Sequence, residues 1–104
     1  MTPERAFAAV EASADGLYGV LLEHGTMELG FYQPVGTDDQ GPHEQDEIYI
    51  VQAGTGVFQL DGERLDFGPG DALFVPAGVP HRFVEFSKDF ATWVIFWGPP
   101  GGES

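Results

Sequence analysis

Apolar and polar positions alternate with a period of two along most of this chain, in short runs separated by glycine, proline and aspartate. Such alternation is the mark of strands with one face turned to a core. The run Leu17 to Leu22 reads as a first strand ended by His24-Gly25, and Thr26 to Tyr32 as a second. Glu47 to Ala53 is a third, with Glu47, Tyr49 and Val51 on one face. Val57-Phe58-Gln59-Leu60 and Glu63 to Phe67 flank Asp61-Gly62, a two-residue hairpin turn whose central residues both take positive φ. Ala72 to Val75 and His81 to Glu85 follow, each introduced by a Gly/Pro turn. Ala91 to Trp97 is apolar on both parities, as expected of a strand covered on both faces.

About eight short strands, repeating every 8 to 12 residues or so, predict an all-β sandwich or barrel in one domain, 1–104. Pro3 to Ala12 predicts a short helix or an irregular arm within residues 1–13. Gln33 to Pro42 predicts a loop, and the Pro/Gly-rich residues 98–104 a mobile tail.

Composition narrows the function. Seventeen acidic residues against four Lys and Arg give a net charge of −13, which repels nucleic acid and anionic membranes. With no cysteine, disulfides and thiolate metal sites are excluded, so any metal must be held by nitrogen and oxygen. No basic and apolar leader opens the chain, and no apolar run approaches the roughly 20 residues of a membrane span, so a soluble, cytoplasmic protein is expected.

Candidate chemistry sits at two places. In Gly41 to Glu47 an extended backbone turns His43 and Glu47 to the same side as Tyr49. About 40 residues on, His81, Phe83 and Glu85 share a face in the same way. By parity Tyr49 and Phe83 line the interior, as core packing first and pocket wall second. Phe58, Phe74, Trp93 and Trp97 are expected in the core or at dimer contacts. Gln45 and Asp46 are expected to face away from the site, His24 to be structural, and Arg82 and Lys88 to be solvated.

These residues resemble the motifs of the cupin superfamily, small jelly-roll barrels, and the resemblance spans Gly41 to Glu85. His43, Glu47 and Gly54 match the later part of the first motif; Gly70, Asp71, Pro76, Gly78 and His81 match the second, with 15 residues between Gly54 and Gly70. The pattern departs at Gly41, where the first motif has a histidine, at Val35, where it has a glycine, and at Glu85, where the second motif has Asn. The resemblance implies a small single-domain cupin, a double-stranded β-helix, with a divalent transition metal (Fe, Mn, Ni, Co or Zn) held by His43, Glu47 and His81. It places Glu85 as an extra ligand, a group orienting His81, or a solvated rim carboxylate. Against metal binding stands the plainer reading of both histidines as hydrogen-bonding residues of a polar barrel mouth. Two functions follow: a metal-dependent enzyme, an oxygenase or isomerase acting on a small molecule, or a non-enzymatic module that binds a small ligand with or without metal. No general base beyond the ligands is evident. A homodimer is the implied assembly.

Overall fold

In the computed structural model, which describes residues 1–38 and 41–103, the chain begins with a helix, α1 (Pro3–Ala12). Its start follows from local chemistry. The Thr2 hydroxyl accepts a hydrogen bond from the Arg5 N–H, Pro3 occupies the first turn where no N–H is needed, and Glu4 complements the positive end of the helix. Ala6 and Val10, one turn apart, form the buried stripe.

Eight strands follow: β1 (Tyr18–His24), β2 (Met27–Tyr32), β3 (Asp46–Ala53), β4 (Gly56–Leu60), β5 (Glu63–Phe67), β6 (Ala72–Val75), β7 (His81–Phe86) and β8 (Ala91–Trp97). They form two antiparallel sheets, a five-stranded one in the order β1-β2-β8-β3-β6 and a three-stranded one in the order β5-β4-β7. The predicted all-β architecture is therefore what forms, and the arm at its start is helical. The Asp61-Gly62 turn takes the expected form, with φ of 48° and 85°.

The inner faces meet in one core, with Tyr49, Val51, Val75 and Val94 from the larger sheet against Phe58, Phe67 and Phe83 from the smaller. As its sequence suggested, β8 is covered on both sides, though only over its first half. Val94 enters this core, while Ala91 and Trp93 face outward and pack under α1 with Ala6, Val10 and Phe31. Beyond the helix the outer face of the larger sheet is open. Leu22, Leu29, Ile95, Ile48 and Phe74 are successive cross-strand partners along it, and Phe74 is half exposed, with the Trp97 ring 6.1 Å away.

Residues 98–103 are hydrogen-bonded to the chain around the start of β3: Gly98 O accepts from Gln45 Nε2 at 2.9 Å, Gly101 N–H donates to Glu44 O at 2.7 Å, and Glu103 N–H donates to Asp46 Oδ2 at 3.0 Å. Polar side chains at 45 and 46 satisfy a tail too glycine-rich to order itself. Glu85, expected to share a face with His81, does not. Phe58 pairs with Phe83 but Val57 with Glu85, so Val84 is an extra residue, a bulge that reverses the alternation beyond it. Glu85 therefore points outward and is exposed.

Candidate metal centre

Three segments deliver three ligand-type side chains to one end of the sandwich. His43 ends the loop before β3, where its carbonyl accepts from the Gly78 N–H at 2.8 Å, tying it to the turn before β7. Its ring lies 4.9 Å from that of Phe96 and 5.3 Å from that of His81. Glu47, the second residue of β3, points inward, and His81 opens β7. Nε2 of His81 is 3.2 Å from Oε1 of Glu47, and Nε2 of His43 is 4.0 Å from the same oxygen. One donor atom from each residue lies within 4.8 Å of the others.

Burial gives this cluster its meaning. The side chains of Glu47 and His81 are fully buried, whereas that of His43 is 31% exposed and forms the open side. Both Glu47 oxygens and His81 Nε2 lack a hydrogen-bond partner among the described residues. A buried carboxylate without hydrogen bonds costs several kcal/mol, a cost folded proteins tolerate where an ion or ligand offsets it. His81 Nδ1 lies 3.1 Å from Val79 O, which can only accept, so the Nδ1–H donates and the ring turns Nε2 toward Glu47. Burial pulls the His81 pKa down, but the adjoining Glu47 carboxylate and the Val79 carbonyl outweigh it, and the net shift is upward. Two imidazole nitrogens and a carboxylate oxygen, two of the three groups otherwise orphaned, fit a divalent transition ion.

The surroundings sort the other expected residues. Tyr49 and Phe83 are fully buried, 4.9 Å apart ring to ring, with Tyr49 6.0 Å from His81. They form the packed wall behind His81 rather than the wall of the adjoining cavity. Gln45 and Asp46 stay out of the cluster, as expected, and so does the exposed His24. Asp46 is buried yet fully served: its oxygens accept from the backbone N–H groups of Glu103 and Ala77, which hold its carboxyl below the usual range.

The cavity beside the cluster has a volume of about 470 Å³, within the range of small-molecule sites, and His43 forms part of its lining. Three groups near it escaped the sequence reading. Asp38, from the polar loop, is buried and accepts from the Tyr32 hydroxyl at 2.8 Å and the Phe83 N–H at 2.9 Å. Nothing in its neighbourhood distinguishes it from an ordinary turn residue. Tyr18 and Glu28 line the cavity and share a hydrogen bond of 2.7 Å. Their signal was Gly30, an isolated glycine in a strand, which often marks a close approach. A side chain there would collide with the Tyr18 ring.

Comparison with known proteins agrees with this geometry. The family model described as Cupin domain matches residues 30–97, and the chain belongs to that family. It is 37% identical over 94 residues to an uncharacterised protein of Streptomyces coelicolor, covering 88% of this chain and 89% of that one. It is 35% identical over 75 residues to the dimethylsulfoniopropionate lyase DddQ of Ruegeria pomeroyi, and 41% over 64 residues to an acireductone dioxygenase of Leishmania infantum. Those matches cover 69% and 56% of this chain but only 34% and 19% of the two enzymes. Among solved structures, KdgF from a Halomonas species superposes with a TM-score of 0.69 at 21% identity, over 79% of this chain and 77% of that one, a likeness of fold. No helix among the described residues is long and apolar enough to cross a membrane.

Proposed function

We propose that the chain is a metal-dependent enzyme of the oxygenase type, acting on a small organic molecule bound in the cavity beside His43. The observation that carries this reading is the buried Glu47 carboxylate, unsatisfied by any hydrogen bond and flanked by two imidazoles. His43, Glu47 and His81 would hold the ion; bound there, it would supply Lewis-acid chemistry and, if redox-active, electron transfer to oxygen or substrate. The chain's own residues do the rest. Nδ1–H of His81 fixes its ring through Val79 O, Tyr49 and Phe83 exclude water behind it, and His43 faces the cavity from which a substrate arrives. Two relatives named as a lyase and a dioxygenase support chemistry over mere binding.

The competing reading, a binding module without catalysis, draws on one feature. Gly41 stands where the cupin motif has a further histidine, leaving one donor fewer. Metal analysis of tag-free protein tests the requirement on which the enzyme reading depends. The enzyme reading expects about one equivalent of a transition ion in wild type and its loss in both His43→Ala and His81→Ala; wild type that stays empty after incubation with Fe(II), Mn(II), Ni(II) and Zn(II) would sink it.

The cysteine-free composition suits a cytoplasmic setting. We also propose that a second copy covers the apolar row from Leu22 to Phe74, because strands about 4.8 Å apart make it a flat strip roughly 20 Å long. Light scattering should give a dimer mass for wild type and a monomer mass for Phe74→Lys.

A further inference from the structure

The cavity beside the metal centre has an unusual balance of groups. The rings of Tyr18, Tyr32 and Phe96 contribute to its walls, its carboxylates are Asp15 and Glu28, and no lysine or arginine lines it. The arrangement is built rather than incidental. Gly30 leaves space for the Tyr18 ring to lie across β2, where its hydroxyl donates to Glu28 Oε2 at 2.7 Å. Burial first, and then the Glu28 carboxylate, raise the Tyr18 pKa, so the phenol stays neutral. The Asp15 carboxyl is held below the usual range by the N–H groups of Leu17 and Tyr18, so it is anionic at neutral pH. Glu28, Phe96 and Glu47 are successive partners across β2, β8 and β3. At about 4.8 Å per strand, Glu28 stands roughly 10 Å from Glu47, a span one small molecule can bridge.

Charge and ring faces together select a ligand class. At the end of this cavity away from His43, an anion meets two carboxylates and, among the described residues, no lysine or arginine, within a protein whose net charge of −13 already repels it. A cation gains twice, from the electron-rich faces of the rings and from the carboxylates, and both gains grow as water is displaced.

We propose that the cavity takes a small organic cation, its substituted ammonium group lying against Tyr18 and Phe96 with Glu28 as counter-charge, while the rest of the molecule reaches His43, Glu47 and His81. The proposal rests on the reading of that trio as the reactive centre, yet its test is separable. Calorimetry on the full chain, metal-depleted and metal-reconstituted, compares choline with its uncharged carbon analogue 3,3-dimethylbutan-1-ol and with acetate. Choline is expected to bind at least about tenfold more tightly than the alcohol, and acetate not to bind the metal-depleted protein. Glu28→Gln should erase the preference with an unchanged melting curve, and Glu63→Gln, on the exposed face of β5, should retain it.

Equal affinity for choline and the alcohol, tighter binding of acetate than of choline by metal-depleted protein, or a preference that survives in both Glu28→Gln and Asp15→Asn would each overturn the proposal. The three-probe comparison on wild type stands even if a variant fails to fold. Protein that holds metal but shows no choline preference sinks this inference and leaves the metal reading intact. A choline preference in protein that takes up no metal upholds the inference and sinks the metal reading.

Discussion

Asp46 and Glu47 are neighbours on β3, both carboxylates and both buried, and their surroundings are opposite. Asp46 accepts from two backbone N–H groups, one from the turn before β7 and one from the tail, and so ties three segments of the rim together. Glu47 accepts from none among the described residues and faces two histidines. Burial alone therefore does not mark a functional carboxylate. What separates a fastener from a ligand is whether the fold has already satisfied the charge.

The sharpest way to break this contrast is to neutralise each carboxylate in turn. Glu47→Gln should lower metal affinity more than about a hundredfold, beyond what loss of a group that merely orients a ligand costs. Above the raised His81 pKa, where a neutral ring leaves the carboxylate uncompensated, it should also stabilise metal-free protein by roughly 1–3 kcal/mol. Metal titration and chemical denaturation read the two effects. A metal-free protein destabilised by this change would show that Glu47 is a structural group like its neighbour.

Gly41→His probes the same centre from the other side. A β-carbon at Gly41 would meet no atom of the described residues within 4 Å, so the position can carry a side chain, and if a histidine there turns inward metal affinity should rise about tenfold in competition with a chelator. Unchanged affinity would mean that position 41 lies outside the ligand set.

Asp46→Asn should do the reverse of Glu47→Gln: leave metal affinity within about twofold and lower the melting temperature. Hydrogen exchange should show lost protection at the Glu103 amide, which Asp46 holds. The smallest effect is on pH dependence. Because the folded pKa of Asp46 lies below its unfolded value, its contribution is fully present above about pH 4 and is lost as pH falls through the depressed folded value. Acid unfolding of wild type should carry that limb, and Asp46→Asn should flatten it. Matching acid curves would remove Asp46 from the account.

The legible parts of the molecule were those written in local order. Strands showed themselves because alternation over Glu47 to Ala53 or across the Asp61-Gly62 turn needs no distant partner. His43, Glu47 and His81 were visible because a motif keeps ligand types at fixed offsets, and the fold then brings all three together. Glu85 was misread for a physical reason. Parity counts residues, and Val84, inserted without a partner, shifts the count by one. The tail's contacts were not legible because their partners, Gln45 and Asp46, lie more than 50 residues earlier.

By itself, then, the order of residues determined the strand set, the hairpin turn, the family and the three ligand-type side chains, because each depends on spacing along one chain. Only the tertiary structure decided which buried carboxylate is left unsatisfied, that Asp38 fastens its loop to β7, and that Tyr18 crosses Gly30 to reach Glu28 beside His43. Those relations belong to strands and loops meeting in space. Satisfaction, exposure and charge balance are properties of an environment, and the environment exists only once the chain has closed on itself.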